Sequence, residues 1–466
     1  MISAKIDRET STTRGAGSVY SSRPEVALVF VGAIVPEKPE FQTAAFSRAG
    51  QIYQRQMLEG LRRAGLPASE IISIIPIPSY PRSDRLWIGA CREEIIKDTE
   101  VRLLPFLNIS PVKQIIIGCF TFIELVRWGW RNRRAQSRVV FTYNLTVPPG
   151  FFTLVGAKMI RAKAVVALCD IDVPGQTVPF SLPWRLNYWM QRILIPRFDG
   201  HVVAADAIAD DFLANRQYVR VDGGIAEERV SSARDRIDAE RPPKRAFTVG
   251  FAGRVDETNG IPALLEAFSL LEGDQYRLWV AGAGPLAHLV RDATSKDSRI
   301  EYKGLLPLDQ VLALYSSSDV LINMRVTGDR NTRYFFPSKM IEYLASGTPV
   351  ISTCTGHIEK EFGEFVYLLR DETPNGLAAA IRQAANSDPE ARCRMGQQAQ
   401  EYTTTHKTWH SQSERVAKYL LEIVLKIDAK PSAYRERPQL LGVEPQAPPT
   451  AMGSNAVTIE EDSVTK

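Results

Sequence analysis

The sequence lacks the spacings of cysteine and histidine that build a disulfide framework or a zinc site. Its 466 residues hold five cysteines and five histidines, and both sets are scattered along the chain. Isolated cysteines are typical of free thiols in a reducing compartment. No Asp-x-Asp pair occurs in the second half of the chain to hold a divalent ion, so we predict no metal site. His357, which follows a predicted strand, is the one histidine that we would place near a ligand.

Long apolar runs are also absent. The most apolar stretch, residues 115–126, contains Glu124 and is shorter than the roughly 20 residues that a membrane-spanning helix needs. Residues 1–24 are polar and have no apolar segment of a secretory signal, and residues 429–466 are polar and rich in proline. We therefore expect a disordered tail at each end and a cytoplasmic protein.

The chain also has little net charge, because its 57 Lys and Arg residues are nearly balanced by 53 Asp and Glu residues. This balance gives no reason to expect nucleic acid as a partner. A local exception is residues 127–138, where Trp128 and Trp130 stand among five arginines. Trp interleaved with cations suits the headgroup layer of an anionic membrane, so we expect peripheral attachment to the inner face of the cell membrane. A solvated helix end with its Trp side chains packed inward is the alternative.

What the chain has in abundance is an alternation of apolar strands with helical patterns. The alternation begins at Val26, is interrupted by a charged stretch, and then resumes. Such alternation predicts parallel sheets covered on both faces. We therefore predict an α/β fold with two doubly wound, Rossmann-like lobes that face a cleft. The predicted boundaries are 25–225 for the first lobe, 226–244 for a linker, 245–403 for the second lobe and 404–428 for a closing helix.

The residues that follow the second-lobe strands favour a phosphorylated ligand, because ligands of open parallel sheets bind at the carboxyl ends of strands. Arg254 follows one strand with Gly253 beside it, and Gly282 and Gly284 follow the next. Arginine can bind two phosphate oxygens at once, and glycine lets the backbone approach closely. Three more arginines lie in the loop before the next helix, at Arg325, Arg330 and Arg333.

The segment RYFFPSKMIEYLASGTPVIST, residues 333–353, predicts a short helix with an anion site at its start. Pro337, Ser338 and Lys339 open the helix, and Gly347 ends it. The unpaired N–H groups of a helix start and a lysine attract an anion, and Glu342 one turn later can hold hydroxyl groups attached to that anion. An ordinary amphipathic helix with Lys339 and Glu342 in solvent is the alternative.

A dinucleotide site is a competing interpretation of the same glycines. Gly282, Gly284 and Ala287 fit the fingerprint of dinucleotide oxidoreductases, and Glu301 follows at a suitable distance. The match is weak because that fingerprint normally opens the first strand–helix unit of its domain. Here another unit precedes it, and Pro285 occupies the turn.

The second lobe resembles the retaining glycosyltransferases of family 4. Five motifs occur in the same order as in that family: GFAGRVDETNGIPALLEAF, LWVAGAGPL, YKGLL, SSDVLI and FPSKMIEYLASGTPVIST. The similarity covers roughly residues 246–385, nearly all of the second lobe. The first-lobe segment YNLTVPPGFFTLVGAKMIRAKAVVALCDIDVPG resembles a bacterial subgroup more loosely.

The resemblance implies a GT-B fold, in which the second lobe binds a UDP- or GDP-linked sugar as substrate and the first binds a glycan or lipid-linked acceptor, with no metal and no other cofactor. Arg254 then matches the family's diphosphate arginine, and Glu342 matches the glutamate that contacts the ribose hydroxyls. With Lys339 and Asp172 these form the predicted catalytic set. The other predicted donor-binding residues are Gly253, Asn259, Gly282, Gly284, Leu305, Pro337 and Ser338.

Three departures from the family pattern keep other functions open. Asn259 stands where the family has lysine, and Tyr334 replaces the first glutamate of its motif. The first-lobe histidine is absent, with Asp172 as the nearest polar substitute. The missing positive charge at position 259 can come from Lys339. A noncatalytic partner subunit of the same fold and a nucleotide-sugar epimerase are the alternatives, the latter with only Asp329 as a candidate acid or base.

Overall fold

The computed structural model describes residues 26–41, 43, 45–96, 99–226, 246–327 and 332–425. Within these ranges the chain forms two α/β lobes, one built on an eight-stranded sheet and the other on a six-stranded sheet. The predicted tails 1–24 and 429–466 lie outside the described residues, as do Asp329, Arg330 and all of the predicted linker except Ala226.

The first lobe contains the large sheet and a small separate pair of strands. Its strands are β1 (Val26–Gly32), β2 (Ala68–Ser73), β3 (Trp87–Ile88), β4 (Cys91–Ile96), β5 (Thr99–Leu103), β6 (Phe106–Leu107), β7 (Ser137–Tyr143), β8 (Lys163–Leu168), β9 (Gly200–Val203) and β10 (Val219–Arg220). The order in the large sheet is β10-β9-β8-β7-β1-β2-β5-β4. All neighbours are parallel except β4 with β5, so the prediction of a purely parallel sheet is corrected at this edge. β3 pairs with β6 in antiparallel fashion.

Helices cover both faces of the large sheet. They are α1 (Arg48–Arg63), α2 (Val112–Arg131), α3 (Pro149–Met159), α4 (Leu182–Leu194) and α5 (Asp206–Phe212). The inner side of α1 lies on one face, where Met57, Leu58 and Leu61 are buried in a common core with β1 and β2. The other four helices lie on the opposite face, over a second core to which α2 contributes Leu125 and α3 contributes Leu154. None of the helices in the described ranges is long and apolar enough to cross a membrane.

The second lobe is a doubly wound unit with an entirely parallel sheet. Its strands are β11 (Phe247–Ala252), β12 (Tyr276–Ala281), β13 (Ile300–Gly304), β14 (Val320–Asn323), β15 (Val350–Thr353) and β16 (Val366–Leu369), in the order β13-β12-β11-β14-β15-β16. β14 and β15 are buried along their whole length, as expected for strands covered on both faces. The helices are α6 (Ile261–Ser269), α7 (Ala287–Lys296), α8 (Leu308–Ser317), α9 (Lys339–Ala345), α10 (Ile358–Phe362), α11 (Pro374–Asn386) and α12 (Pro389–His406).

The chain returns to the first lobe through its last described helix, α13 (Trp409–Leu425). Val416, Tyr419 and Leu420 of α13 are buried in the same core as α1. The closing helix predicted for residues 404–428 is therefore two helices, since α12 ends at His406. The break arises because Ile225 pairs with the backbone on both sides of Thr408: its N–H donates to the Lys407 carbonyl, and its carbonyl accepts from the Trp409 N–H.

Candidate functional site

A chain of polar contacts lies at the carboxyl end of β11. Arg254 donates through Nε to Asp256 Oδ2 over 2.9 Å, and Asp256 Oδ1 accepts from the Asn259 side chain over 2.8 Å. The Asn259 amide oxygen in turn accepts from Arg325 Nη1 at 3.4 Å and from Lys339 Nζ at 3.3 Å. The fold thus brings together two predicted residues that follow β11, Arg254 and Asn259. They meet Arg325, which follows β14, and Lys339, which begins α9.

The surroundings of Lys339 in this cluster lower its pKa strongly. Its Nζ lies 4.4 Å from the centre of the Phe251 ring and 3.5 Å from the position of a β-carbon built on Gly253. Burial lowers the pKa of Lys339 to about 7, the positive field of Arg325 acts in the same direction, and Asp256 opposes both. The contacts named here hold three cations, Arg254, Arg325 and Lys339, against one carboxylate, Asp256, an excess of positive charge that favours binding of an anion.

Asn259 therefore has a defined place in this cluster despite its departure from the family pattern. Its side chain is almost fully buried and joins the Asp256 carboxylate to the two cations. Lysine at this position would add a third positive charge beside Lys339 and Arg325. The substitution of the Lys339 charge for the missing lysine stays a prediction.

Gly282 and Gly284 allow the loop after β12 to pack on the loop after β11. A β-carbon on Gly282 would lie 1.8 Å from the Gly253 carbonyl oxygen, and one on Gly284 would lie 2.1 Å from the Val255 carbonyl oxygen. Both glycines are needed for this close approach. Glu301, which the dinucleotide interpretation would place on a ribose, accepts from the Trp279 indole at 3.1 Å and pairs with Lys303.

Helix α9 is fixed to the end of β11 by a residue that sequence reasoning missed. The Tyr343 hydroxyl donates to the Ala252 carbonyl at 2.8 Å and accepts from the Ala252 N–H at 2.9 Å. This pair of bonds holds the helix beside Gly253. The only sequence signal is a tyrosine on the inner side of a short helix, next to Glu342.

The helix begins at Lys339, two residues later than predicted, and has only seven residues. Pro337 and Ser338 form the turn that precedes it, in which the Met340 N–H donates to the Pro337 carbonyl over 2.8 Å. Glu342 is half-buried one turn into the helix, and Gly347 follows the end with φ of 73°. Ser338 is exposed and Pro337 is buried.

Leu305 follows β13 at the same edge of the sheet and is 79% exposed. A side chain of this kind gives the edge an apolar surface next to its charged one. The strand ends therefore present a cationic cluster, a half-buried carboxylate and an exposed leucine. The assignment of these residues to a donor site stays a prediction.

Tyr334 and Arg333 contact the first lobe instead of this edge. The Tyr334 hydroxyl donates to Asp211 Oδ2 at 2.5 Å, and its ring packs edge-on against Phe212 with 5.7 Å between ring centres. Arg333 Nη1 lies 3.4 Å from the same Asp211 oxygen. The expectation that Arg333 lines the phosphate edge is corrected, and Tyr334 is a contact between the lobes.

The first lobe places two carboxylates beyond β8. The Asn144 side-chain oxygen accepts from the backbone N–H of Cys169 at 2.8 Å and of Asp170 at 3.4 Å, which fixes the start of this segment. Asp170 is accessible to water, yet surrounding atoms displace part of its solvent shell and raise its pKa, against the opposing effects of Asn144 and Arg325. Desolvation and Asp170 also raise the pKa of the half-buried Asp172. The influence of Arg325 on Asp170 connects the two lobes electrostatically.

His357 belongs to a buried ionic network at the junction of the lobes. Its Nε2 lies 2.9 Å from Asp222 Oδ2, and its ring stacks on Phe336 with 4.7 Å between centres. Lys407 Nζ lies 2.7 Å from both Asp222 and Glu361. Burial alone would raise the pKa of Asp222, but Lys407 and His357 lower it well below its ordinary value.

The same three groups, Asp222, His357 and Glu361, have ligand atoms close enough together to hold a metal ion. The Lys407 ammonium group already occupies the position between the two carboxylates and supplies the compensating charge. This cluster therefore has an internal cation and does not provide a vacant acidic cage.

The basic and aromatic run 127–138 divides between core and surface. Trp128 is fully buried, and its indole N–H donates to Ser69 Oγ at 3.0 Å, so the prediction that it faces headgroups is wrong. Trp130 is 69% exposed, with the Arg133 guanidinium 4.7 Å from its ring centre. Arg131 pairs with Glu70 at 2.6 Å.

Comparison with known proteins agrees with the architecture of the second lobe. Residues 246–387 match the family model described as "Glycosyl transferases group 1". A colanic acid biosynthesis glycosyltransferase, so named in Salmonella typhimurium, is 25% identical over 179 residues, which are 35% of this chain and 44% of that protein. Alpha-monoglucosyldiacylglycerol synthase of Streptococcus pneumoniae is 26% identical over 212 residues, or 43% of each chain. The chain thus spans less than half the length of these curated relatives.

Solved structures resemble nearly the whole described chain. Sucrose-phosphate synthase of Thermosynechococcus elongatus superposes with a TM-score of 0.59 at 15% identity, covering 86% of this chain and 100% of that one. Alr3699/HepE of Anabaena, in complex with UDP, gives 0.56 at 14% identity over 84% and 99% of the two chains. The fold is GT-B. The predicted two-lobe architecture is confirmed.

Proposed function

We propose that this chain is a retaining glycosyltransferase, which takes a hexose from a UDP- or GDP-linked sugar in the second lobe and transfers it to a glycan or lipid-linked acceptor at the first. The observation that carries the proposal is the cluster of Lys339, Arg325 and Arg254 at the second-lobe strand ends, beside α9. The match of residues 246–387 to the glycosyltransferase model covers this cluster, and one structural neighbour binds UDP in the same fold.

In this proposal the cationic cluster binds the diphosphate. Lys339 and Arg254 contact its oxygens, while Glu342 accepts hydrogen bonds from the ribose hydroxyls and exposed Leu305 provides apolar surface for the base. The cations stabilise the negative charge that develops on the leaving diphosphate as the sugar carbon becomes positive. Stabilisation of that charge, which is greatest in the transition state, increases the rate of transfer.

The anomeric configuration is retained if an oxygen of the sugar donor's phosphate takes the proton from the hydroxyl of the acceptor. This transfer occurs on the face of the sugar from which the diphosphate leaves. No side-chain base is then required, which is compatible with the absence of the first-lobe histidine. Asp172, with its raised pKa, is proposed to contact the acceptor hydroxyl. NMR of the first-formed product tests this step, because a retained anomeric configuration is expected and an inverted one would exclude it.

The transfer reaction is expected to continue without a divalent metal ion. Lys339, Arg325 and Arg254 supply the positive charge that a metal would otherwise provide to the diphosphate. The initial rate of sugar transfer should therefore be the same with EDTA as without it. Loss of the rate in EDTA, with recovery on addition of magnesium or manganese, would contradict metal independence.

Replacing Glu342 by Gln is expected to weaken binding of UDP or GDP about tenfold while leaving inorganic pyrophosphate unaffected. The carboxylate can accept from two ribose hydroxyls, whereas the amide keeps only one acceptor oxygen and loses the charge. Calorimetric titration measures both affinities, with the exposed Glu364→Gln as control. Equal losses for the nucleotide and for pyrophosphate would show that Glu342 does not recognise the ribose.

One observation favours a second candidate function, a noncatalytic partner subunit. Tyr334, at the position of a motif glutamate, is packed between the lobes and cannot serve as a carboxylate near the sugar. A noncatalytic subunit would bind the nucleotide without consuming the donor. Release of UDP or GDP from the sugar donor, in the presence of acceptor, distinguishes an enzyme from such a subunit.

A further inference from the structure

One stretch of the first lobe is almost free of negative charge. Residues 125–198 contain eleven Lys and Arg but only two carboxylates, Asp170 and Asp172. Both carboxylates lie in the segment that follows β8. Among the described residues, three of the eleven cations pair with carboxylates, namely Arg127, Arg131 and Lys163. Five of the eleven cations lie on the helices of this side of the lobe: Arg127 and Arg131 on α2, Lys158 on α3, and Arg185 and Arg192 on α4.

The same side of the lobe carries an unusual amount of exposed apolar surface. α2 packs against α3, and both share one core with α4, because the crossovers to β7, β8 and β9 lie on one face of the sheet. In the described ranges, nineteen large apolar side chains are exposed. Ten of them are on these three helices, and an eleventh, Phe180, lies shortly before α4. We call this surface the α2–α3–α4 face; its exposed apolar residues on α3 are Phe151, Val155 and Met159.

The most exposed part of this face is the start of α4. Phe180 and Leu182 are 71% and 76% exposed, and Leu186 and Trp189 follow at 55% and 57%. The spacing of positions 182, 186 and 189 places them along one side of the helix. Arg185 lies between them, with its guanidinium 5.1 Å from the Phe180 ring centre. Cations beside exposed aromatic and aliphatic groups match the headgroup and acyl layers of a bilayer.

α4 is also held close to the first-lobe strand ends. The Asn187 side-chain oxygen accepts from the Val147 N–H at 3.1 Å, and the Gln191 amide donates to the Leu145 carbonyl at 2.6 Å. Both bonds are made with the loop that follows β7, beside the segment of Asp170 and Asp172. A surface bound to α4 would therefore lie next to the part of the first lobe where the proposed acceptor binds.

We propose that the α2–α3–α4 face docks on an anionic lipid bilayer, with Phe180, Leu182, Leu186 and Trp189 entering its interface and the surrounding arginines contacting headgroup phosphates. The charge complementarity of a surface with many more cations than carboxylates favours a bilayer over a protein partner. Combined with the proposed function, on which this part rests, docking assigns the acceptor to the lipid-linked class. It also revises the sequence expectation, because α4 replaces Trp128 as the apolar anchor.

Sedimentation of the full chain with liposomes tests the proposal. The protein should bind vesicles that contain phosphatidylglycerol and stay in solution with phosphatidylcholine vesicles alone. The double variant Leu186→Ser with Trp189→Ser should lower the partition coefficient about tenfold, because two exposed apolar side chains no longer enter the interface. Trp87→Ser is the matched control, since Trp87 is 58% exposed on β3 and lies outside this face. The control should sediment as the unmodified protein does.

The contribution of charge is tested separately with Arg185→Gln combined with Arg192→Gln. This variant and added salt should each reduce sedimentation with anionic vesicles. Equal sedimentation of the unmodified chain and the α4 double variant would overturn the proposal, as would no binding to anionic vesicles. Loss of a dimer in the same double variant, without vesicle binding, would assign the face to self-association and overturn it too.

Vesicle binding and donor binding are independent measurements. UDP affinity in solution should be unchanged in the α4 variants, because the donor cluster lies in the other lobe. A chain that binds vesicles but no nucleotide would remove the proposed function and support membrane docking. A chain that binds UDP but ignores anionic vesicles would remove the docking proposal alone.

Discussion

Replacing Lys339 by Met is expected to lower the affinity of the second lobe for UDP or GDP about 10- to 100-fold. The lysine Nζ lies beside Gly253 and shares the Asn259 oxygen with Arg325, where a diphosphate oxygen would complete its hydrogen bonds. Methionine keeps much of the packing against Phe251 but removes the charge and the donors. Calorimetry measures the loss, with the exposed Lys360→Met as control.

The same lysine should make nucleotide binding depend on pH. Its pKa in the empty site is about 7, well below the ordinary value of 10.5, so it is about half-charged near neutrality. A bound diphosphate favours the charged form and raises the pKa, so binding takes up a proton. Affinity should therefore fall as pH rises above 7, by at most about tenfold per pH unit from this group. Loss of that dependence in Lys339→Met would attribute it to Lys339.

An unchanged UDP affinity in a folded Lys339→Met variant would remove the lysine from the donor site. A pH dependence that persists in the variant would assign the titration to another group. Either result would leave the fold intact and would refute the anion cluster as the basis for donor binding.

Replacing Lys407 by Met is expected to reduce the free energy of unfolding by about 3–5 kcal/mol. Lys407 Nζ lies between Asp222 and Glu361, whose side chains are 0% and 7% exposed, and its removal leaves two carboxylates without their main cation. Those carboxylates lie on different lobes, so the loss also weakens the junction. Urea or thermal unfolding measures the change.

Lys418→Met is the control for this experiment, because Lys418 is exposed on α13, the helix that follows Lys407. It should change the free energy of unfolding by less than about 0.5 kcal/mol. A Lys407→Met variant as stable as this control would show that Asp222 and Glu361 need no cation between them. It would also reopen the cluster of Asp222, His357 and Glu361 as a cation site.

The sequence predicted strands such as β14 and β15 well because their side chains are buried on both faces. In β14, for example, Val320, Leu321 and Ile322 are consecutive apolar residues, a short run that is typical of a strand covered on both faces. The edge strand β4 was missed for the opposite reason. Its alternating exposed residues, such as Glu94, give it the composition of a loop.

Long-range contacts set the limits of prediction elsewhere. The periodicity of residues 404–425 continues through Thr408, and only the pairing with Ile225 divides it into two helices. Trp128 was expected at the surface because it stands among arginines, but its side chain is buried in the core on which α2 packs. The role of Tyr334 depends on Asp211 in the other lobe, which no local pattern reveals.

The candidate site was predicted in part. Strand-end position and residue type identified Arg254, Lys339 and Glu342 from the sequence. The contact of Lys339 with Asn259 was not foreseen as a hydrogen bond, since it joins residues 80 positions apart. Tyr343 was missed because its role is a pair of bonds to the backbone of Ala252, which the sequence cannot show.

Hydrogen exchange with and without UDP or GDP tests the central claim most directly. Bound nucleotide should slow exchange at the second-lobe strand ends, in peptides that contain Gly253–Arg254, Gly282–Gly284, Leu305 and the start of α9. Lys339→Met should show little protection at the same nucleotide concentration. Protection confined to these second-lobe peptides is the result we predict. The absence of protection there with UDP, GDP and ADP at millimolar concentration, or protection only in the first lobe, would contradict the account.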